Sequence, residues 1–251
     1  MILALVISAQ MLGRRAGPIA ENIVGFLPIY LGLWAWLRWS SKRRFRSLGL
    51  EKQGALRKAL RGALIATLMM AATAGLAIIP GASINRGAFG IGILSLLGYL
   101  VQGPAEEVLF RGWLLPVIGS RYRPWIGVVV SSLVFSLAHS GTHGITLLGF
   151  SNLFLFGAFA SVYALAEGGL WGIGVWHAVW NWALGDVLGF AVDGSPHRGL
   201  LVSIHATGPD VISGGAFGLE GGLACTTVFL IAIGVTLAFT RRQAGSTETA
   251  S

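Results

Sequence analysis

Seven apolar segments, at residues 23–39, 62–79, 90–119, 124–142, 146–166, 170–190 and 223–240, dominate this chain of 251 residues. A helix needs roughly 17–25 mostly apolar residues to cross the hydrocarbon layer of a bilayer. Each segment reaches that length. The expected fold is therefore all-α, a polytopic transmembrane helix bundle of about seven spans. Composition closes off the alternatives. Charged residues make up 11% of the chain and apolar residues 54%, whereas a soluble domain carries about 25% charge. So little charge cannot cover a water-facing surface. This excludes a soluble globular enzyme, a disordered chain and a nucleic-acid-binding domain.

The formal net charge of +8 fits the same picture, because the basic residues gather at the ends of apolar segments. Arg38, Lys42, Arg43, Arg44, Arg46, Lys52, Arg57, Lys58 and Arg61 separate the first two segments, against Glu51 alone. The positive-inside rule puts this loop in the cytoplasm. Its second half, from Glu51, is expected to be a surface helix running into the second span. Counting crossings from there places Arg121, Arg123, Arg241 and Arg242 inside, and only Arg14, Arg15, Arg86 and Arg198 outside. The C-terminus is then cytoplasmic, and the composition, rich in alanine and glycine, points to a bacterial plasma membrane. Loop 80–90, after Pro80-Gly81, and a glycine-rich loop at about 191–221 with His197 and His205 face outward.

Within 90–119, Gly103-Pro104 predicts a kink or a helix start. Residues 2–12 are apolar but too short to span, and they lack the basic n-region of a signal peptide. They read as half a helix, or as a sign that the true start lies upstream of Met1. The chain divides into N-terminal spans with the basic loop (1–89), a core (90–190), and an outer loop, last span and polar tail (191–251), all in one membrane domain. Cys225, the single cysteine, cannot form an intramolecular disulfide, and the absence of a Cys/His cluster excludes a thiolate zinc site.

The informative residues are the polar ones inside the apolar segments. An ionisable group at bilayer depth costs about 2.5–3.5 kcal/mol by insertion scales. Most segments carry none. The exceptions are Glu106, Glu107, Arg111, His139, His177, Asn181 and Asp186. On a helix, Glu107 and Arg111 are i,i+4 neighbours and can pair. Glu106 points about 100° away, free to face a cavity. Two adjacent carboxylates beside one guanidinium leave one acid short of a partner and suited to proton transfer. His139 ends the sequence FSLAH; His143, one turn later, lies nearer a loop and ranks below it. His177 and Asn181 are again i,i+4, so one face presents an imidazole and an amide that could stabilise an oxyanion. Asp186 and Glu167 lie near span ends and read as interfacial.

In order and spacing, Glu106-Glu107-x-x-x-Arg111, Phe135-x-x-x-His139 and His177-x-x-x-Asn181 resemble the three motifs of the CAAX-processing and bacteriocin-processing (Abi) intramembrane proteases. That family includes the type II CAAX prenyl endopeptidases. The resemblance covers about residues 90–190. It implies an intramembrane endopeptidase in which Glu106 activates a water with help from His139. His177 and Asn181 would hold the tetrahedral oxyanion, while Glu107 and Arg111 would support the helix and the charge balance. The substrate would be a membrane-embedded or lipidated peptide or protein, with prenylated CAAX ends, bacteriocin precursors and membrane regulators as the candidates.

Family members often carry a metalloprotease label, and Glu106, His139 and His177 could ligate zinc with a fourth position open for water. The short HExxH spacing is absent, and the expectation is a site without metal. Two other readings compete: a non-catalytic immunity or scaffold protein of the same fold, and a small proton-coupled transporter. One geometric requirement is demanding. His139 sits roughly 22 Å along its helix from Pro124, and His177 roughly 10 Å from Leu170. The two histidines have to reach one depth although both segments start on one side.

Overall fold

The structure is a computed structural model that describes residues 18–87, 92–197 and 199–248. The expectations for residues 2–12 and for Arg14, Arg15 and Arg198 fall outside those residues. The described chain is an all-α membrane bundle with one short ribbon. Its helices are α1 (Pro18–Trp36), α2 (Ala55–Ile78), α3 (Gly92–Glu107), α4 (Leu115–Arg121), α5 (Pro124–Ala138), α6 (Leu147–Glu167), α7 (Trp171–Trp182), the single turn α8 (Asp210–Ser213) and α9 (Leu223–Glu248). Wider π-helical turns continue α1 through Leu37–Ser41, join α3 to α4 through Val108–Leu114, and extend α7 through Ala183–Val187.

Seven helical stretches thus occupy the seven predicted apolar segments. Four are long and apolar enough to cross a membrane: Ile19–Ser41, Ala55–Ile78, Leu147–Glu167 and Leu223–Arg242; Pro124–Ala138 is apolar but shorter. The chain is an integral membrane protein. The expected surface helix after Glu51 is the first turns of α2, which runs unbroken from Ala55 into the span.

One local expectation is corrected. No new helix starts at Gly103-Pro104; α3 continues through Pro104. The departure from α geometry comes after the glutamates, in the π turns at Val108–Leu114. Gly103 has a different task. A Cβ there would lie 2.6 Å from the backbone nitrogen of Ala178. The missing side chain lets α3 and α7 touch backbone to backbone, one turn from Glu106 and beside His177.

α7 is the most enclosed helix, with Ile173, Trp176, Ala178 and Trp180 fully buried. Its Trp176 and Trp180 stack on each other and pack against Phe156, Phe159 and Phe229, with ring centroids 4.9–6.1 Å apart. Such aromatic pairs add roughly 0.5–1.5 kcal/mol each beyond their buried area.

The two ends of the bundle are distinct. At the basic end, Leu170 donates its backbone N–H to the Gly49 carbonyl, Trp171 donates its indole N–H to the Glu51 carbonyl, and Arg61 pairs with Glu167 at 2.8 Å. At the other end, β1 (Ala82–Arg86) and β2 (Val202–Ala206) form an antiparallel ribbon in the register Ile84↔Ile204. The loops at 80–90 and 191–221, both predicted to face outward, are therefore paired with each other on one side.

Gly103→Val should force α3 away from α7, because the new side chain meets backbone rather than a movable side chain. Overpacking of this kind costs about 1–3 kcal/mol. A lowered thermal-unfolding midpoint in mild detergent is the expected result.

Candidate active site

The depth requirement is met by where α5 begins. Gly112 lies against Leu48 and Leu170 at the basic end. From that level, Glu106 is six residues back through the π turns and the end of α3, and His177 seven residues along from Leu170, each about 10 Å or less. Ser131 on α5 donates to the Phe110 carbonyl at 2.9 Å, near the same level. His139 lies eight residues further, about 12 Å. The start of α5 at Pro124 is seven residues to the other side of Ser131, because α4 carries the chain outward to Arg121 before it turns back. The two histidines thus arrive at one depth from starts at different depths.

They converge on Glu106. One of its carboxylate oxygens, Oε1, accepts from Gln102 Nε2 at 2.8 Å. The other, Oε2, is buried and has no hydrogen-bond partner among the described protein atoms. It stands 3.9 Å from His139 Nε2 and 4.0 Å from His177 Nε2. These separations are too long for direct hydrogen bonds. Two bonds of about 2.8 Å meeting at one water oxygen would span such a gap at an angle of about 90°.

The ring orientations are set from behind. His139 Nδ1 is 2.8 Å from the Phe135 carbonyl, which can only accept, so that nitrogen carries hydrogen. His177 Nδ1 is 2.8 Å from Glu107 Oε1. Both imidazoles therefore turn Nε2 toward Glu106. The same Glu107 oxygen accepts from Arg111 Nη1 at 3.0 Å, and neither side chain has exposed surface. Arg111 Nη2 donates to the Gly157 carbonyl on α6 at 3.2 Å, and its guanidinium lies 4.7 Å from the Phe135 ring centre. The i,i+4 pair expected for Glu107 and Arg111 is present. Its third member, His177, comes from a helix 70 residues away and is not visible in the local spacing.

Asn181 Nδ2 donates to Gln102 Oε1 at 3.1 Å. Asn181, Gln102 and Glu106 thus form a buried relay across α7 and α3. Gln102 was missed in the sequence, although it sits one turn before Glu106 on the same helix face. The other polar residues lie apart. His143 and His205 are exposed. Asp186 faces His197 at 3.2 Å. Glu167 accepts from Arg61 and from the Gly172 backbone at the start of α7. Two further carboxylates missed in the sequence, Asp193 and Glu220, adjoin the site from the ribbon end: Asp193 Oδ2 lies 3.8 Å from His139 Nε2. The signal for Glu220 is a single acid set among glycines and apolar residues in GLEGGL.

The trio Glu106, His139 and His177 does not fit zinc as it stands. Donors about 2.0–2.1 Å from a tetrahedral ion lie roughly 3.3 Å from one another, less than the 3.9 and 4.0 Å between Glu106 and the two imidazoles. Among the described residues, no cluster of His, Cys, Asp and Glu is arranged to hold a metal ion.

Residues 88–183, which carry all three motifs, match the family model described as type II CAAX prenyl endopeptidase Rce1-like. This segment is similar to that family. The match agrees with the resemblance carried by the motifs. An Escherichia coli protein described as an uncharacterized 24.3 kDa protein is 43% identical over 81 residues, which is 31% of this chain and 36% of that protein. The alignment thus spans about a third of that relative's length. Within the matched segment lie Glu106, Glu107, Arg111, His139, His177 and Asn181; Asp193 and Glu220 lie beyond it.

Arg111 is the group whose removal should cost most. Arg111→Ala strands the Glu107 charge in the apolar core, a loss of about 3–5 kcal/mol. Arg111→Lys, with one ammonium in place of a fork that reaches both Glu107 and Gly157, should fall between that and wild type. Denaturation in mixed micelles, followed by circular dichroism, measures both.

Proposed function

We propose that this chain is an intramembrane endopeptidase that hydrolyses a peptide bond of a membrane-associated substrate. The observation that carries the reading is the buried, unpartnered Glu106 Oε2 facing two imidazole Nε2 atoms at 3.9 and 4.0 Å. Glu106 takes a proton from a water held in that gap, and the water oxygen attacks the substrate carbonyl carbon. The proton is then passed, by Glu106 or through His139, to the leaving amine as the C–N bond breaks. The Glu107 carboxylate at His177 Nδ1 fixes the ring with its Nε2 edge toward the developing oxyanion. Asn181 has a second Nδ2 hydrogen, beyond the one given to Gln102, to add to the same task. No step requires a metal ion. The Rce1-like match supports a substrate of the prenylated CAAX type. The basic end of the bundle, rich in Arg and Lys between α1 and α2, is assigned to the cytoplasmic face of a bacterial plasma membrane.

The test compares the full chain in proteoliposomes with its Glu106→Gln variant. The probes are a quenched fluorogenic peptide with a farnesylated CAAX end and the membrane proteome of the expressing cells, read as new N-termini. Loss of a positioned general base should slow cleavage by about 10²–10⁴-fold with the fold retained. Equal cleavage by both forms, or no cleavage of either probe by wild type, would refute the proposal. Cleavage is also expected to survive 1,10-phenanthroline and exhaustive chelation, with substoichiometric zinc in the purified protein. Loss on chelation and recovery with zinc would overturn the metal-free step.

A further inference from the structure

One carboxylate outside the three motifs, Asp193, stands over the His139 imidazole edge, and a second, Glu220, holds its backbone. Asp193 lies in the turn between Val192 and Ser195 with φ +47°, a left-handed conformation uncommon for a residue other than glycine. Its Oδ2 is 3.8 Å from His139 Nε2, matching the 3.9 Å from Glu106 Oε2 to that nitrogen. The reactive edge of His139 is thus flanked by one carboxylate from α3 and one from the loop at the ribbon end. The ring's other nitrogen is occupied by the Phe135 carbonyl.

The loop that presents Asp193 is tied down by Glu220, which is 3% exposed. Glu220 Oε2 accepts from the Asp193 backbone N–H at 3.3 Å, and Oε1 accepts from the Trp180 indole N–H at 2.9 Å. Trp180 lies on α7, three residues from His177. Asn152 on α6 donates to the Glu220 carbonyl at 2.8 Å and to the Gly222 carbonyl at 2.9 Å. Gly194, next to Asp193, donates to the Phe217 carbonyl at 3.1 Å. Glu220 lies outside the spanning helices, and burial, followed by the nearby Asp193 charge, raises its carboxyl to about 7. Burying such an acid is costly. What it accomplishes here is to fix the Asp193 turn and the Trp180 ring in one piece.

We infer that Asp193 is a positioning residue of the hydrolytic site: it covers His139 from the ribbon end and keeps the imidazole edge toward Glu106, and Glu220 is the strut that fixes it. The catalytic half of this inference rests on the proposed endopeptidase reading. The placement does not. Two readouts on the full chain in proteoliposomes therefore separate them.

The first is labelling of His139 by diethyl pyrocarbonate at neutral pH, quantified by mass spectrometry with exposed His143 as the internal reference. Asp193→Ala should speed His139 labelling several-fold relative to His143. Glu220→Gln should do so by a smaller factor, and Asp193→Glu should stay near wild type. An unchanged His139 rate in Asp193→Ala overturns the placement, whatever the protein cleaves.

The second is steady-state cleavage of the farnesylated CAAX-type peptide. Asp193→Asn should lower kcat by about tenfold or more with KM within about twofold, since a charged partner of a reacting imidazole acts in the transition state. Asp193→Glu should recover part of the loss. A change in KM alone, or an unchanged kcat, overturns the catalytic half. A wild type that cleaves nothing refutes the endopeptidase reading together with that half, and the labelling result still decides the placement.

Discussion

At the centre of the bundle, a carboxylate with no exposed surface is bonded by an arginine from its own helix and a histidine from another. Glu107 accepts from Arg111 and from His177 through the same oxygen. An isolated charge in such surroundings is prohibitive, and a buried ion is tolerated only when paired and hydrogen-bonded. Arg111 is itself bonded to the Gly157 carbonyl and stacked beside Phe135. The network therefore ties together α3, α5, α6 and α7. It also fixes the His177 ring, and through that ring the direction of the edge that faces Glu106.

The aromatic packing supplies the surroundings that make the network consequential. Phe135 lies 5.2 Å from both Phe110 and Phe156, and Phe156 lies 4.7 Å from the His177 ring. These rings exclude water from the back of the site and leave its polar atoms few and directed. Electrostatic interactions are stronger in such a medium than in water, so the two neighbouring glutamates are driven into different tasks. Glu107 is held through Oε1 by Arg111 and His177. Glu106 has one oxygen bound by Gln102 and one left facing the imidazoles.

Much of this was legible in the sequence because it is local or compositional. Apolar length marked the helices, and the i,i+4 rule paired Glu107 with Arg111. The three short motifs named the residues that meet. The remainder was not legible for physical reasons. The π turns at Val108–Leu114 follow the two glutamates, and no spacing in the chain announces them. Gln102 looked like an ordinary amide until Asn181 arrived opposite it from 79 residues away. Asp193 and Glu220 sat in a loop with no periodicity to read, and only the folding of that loop onto α6 and α7 gives them partners.

The separation between the two kinds of knowledge follows from range. Hydrophobicity, charge at segment ends and helical spacing act over a few residues and are written directly in the chain. They settle that it lives in a membrane, that it is helical, and which few polar groups are buried. Depth and direction are long-range properties. They arise where α4 overshoots before α5 returns, where Gly103 lets two backbones touch, and where Glu107 reaches a histidine on another helix. Only the packed bundle brings two imidazole edges and one free carboxylate oxygen to a single point, because each is oriented by a partner distant in sequence.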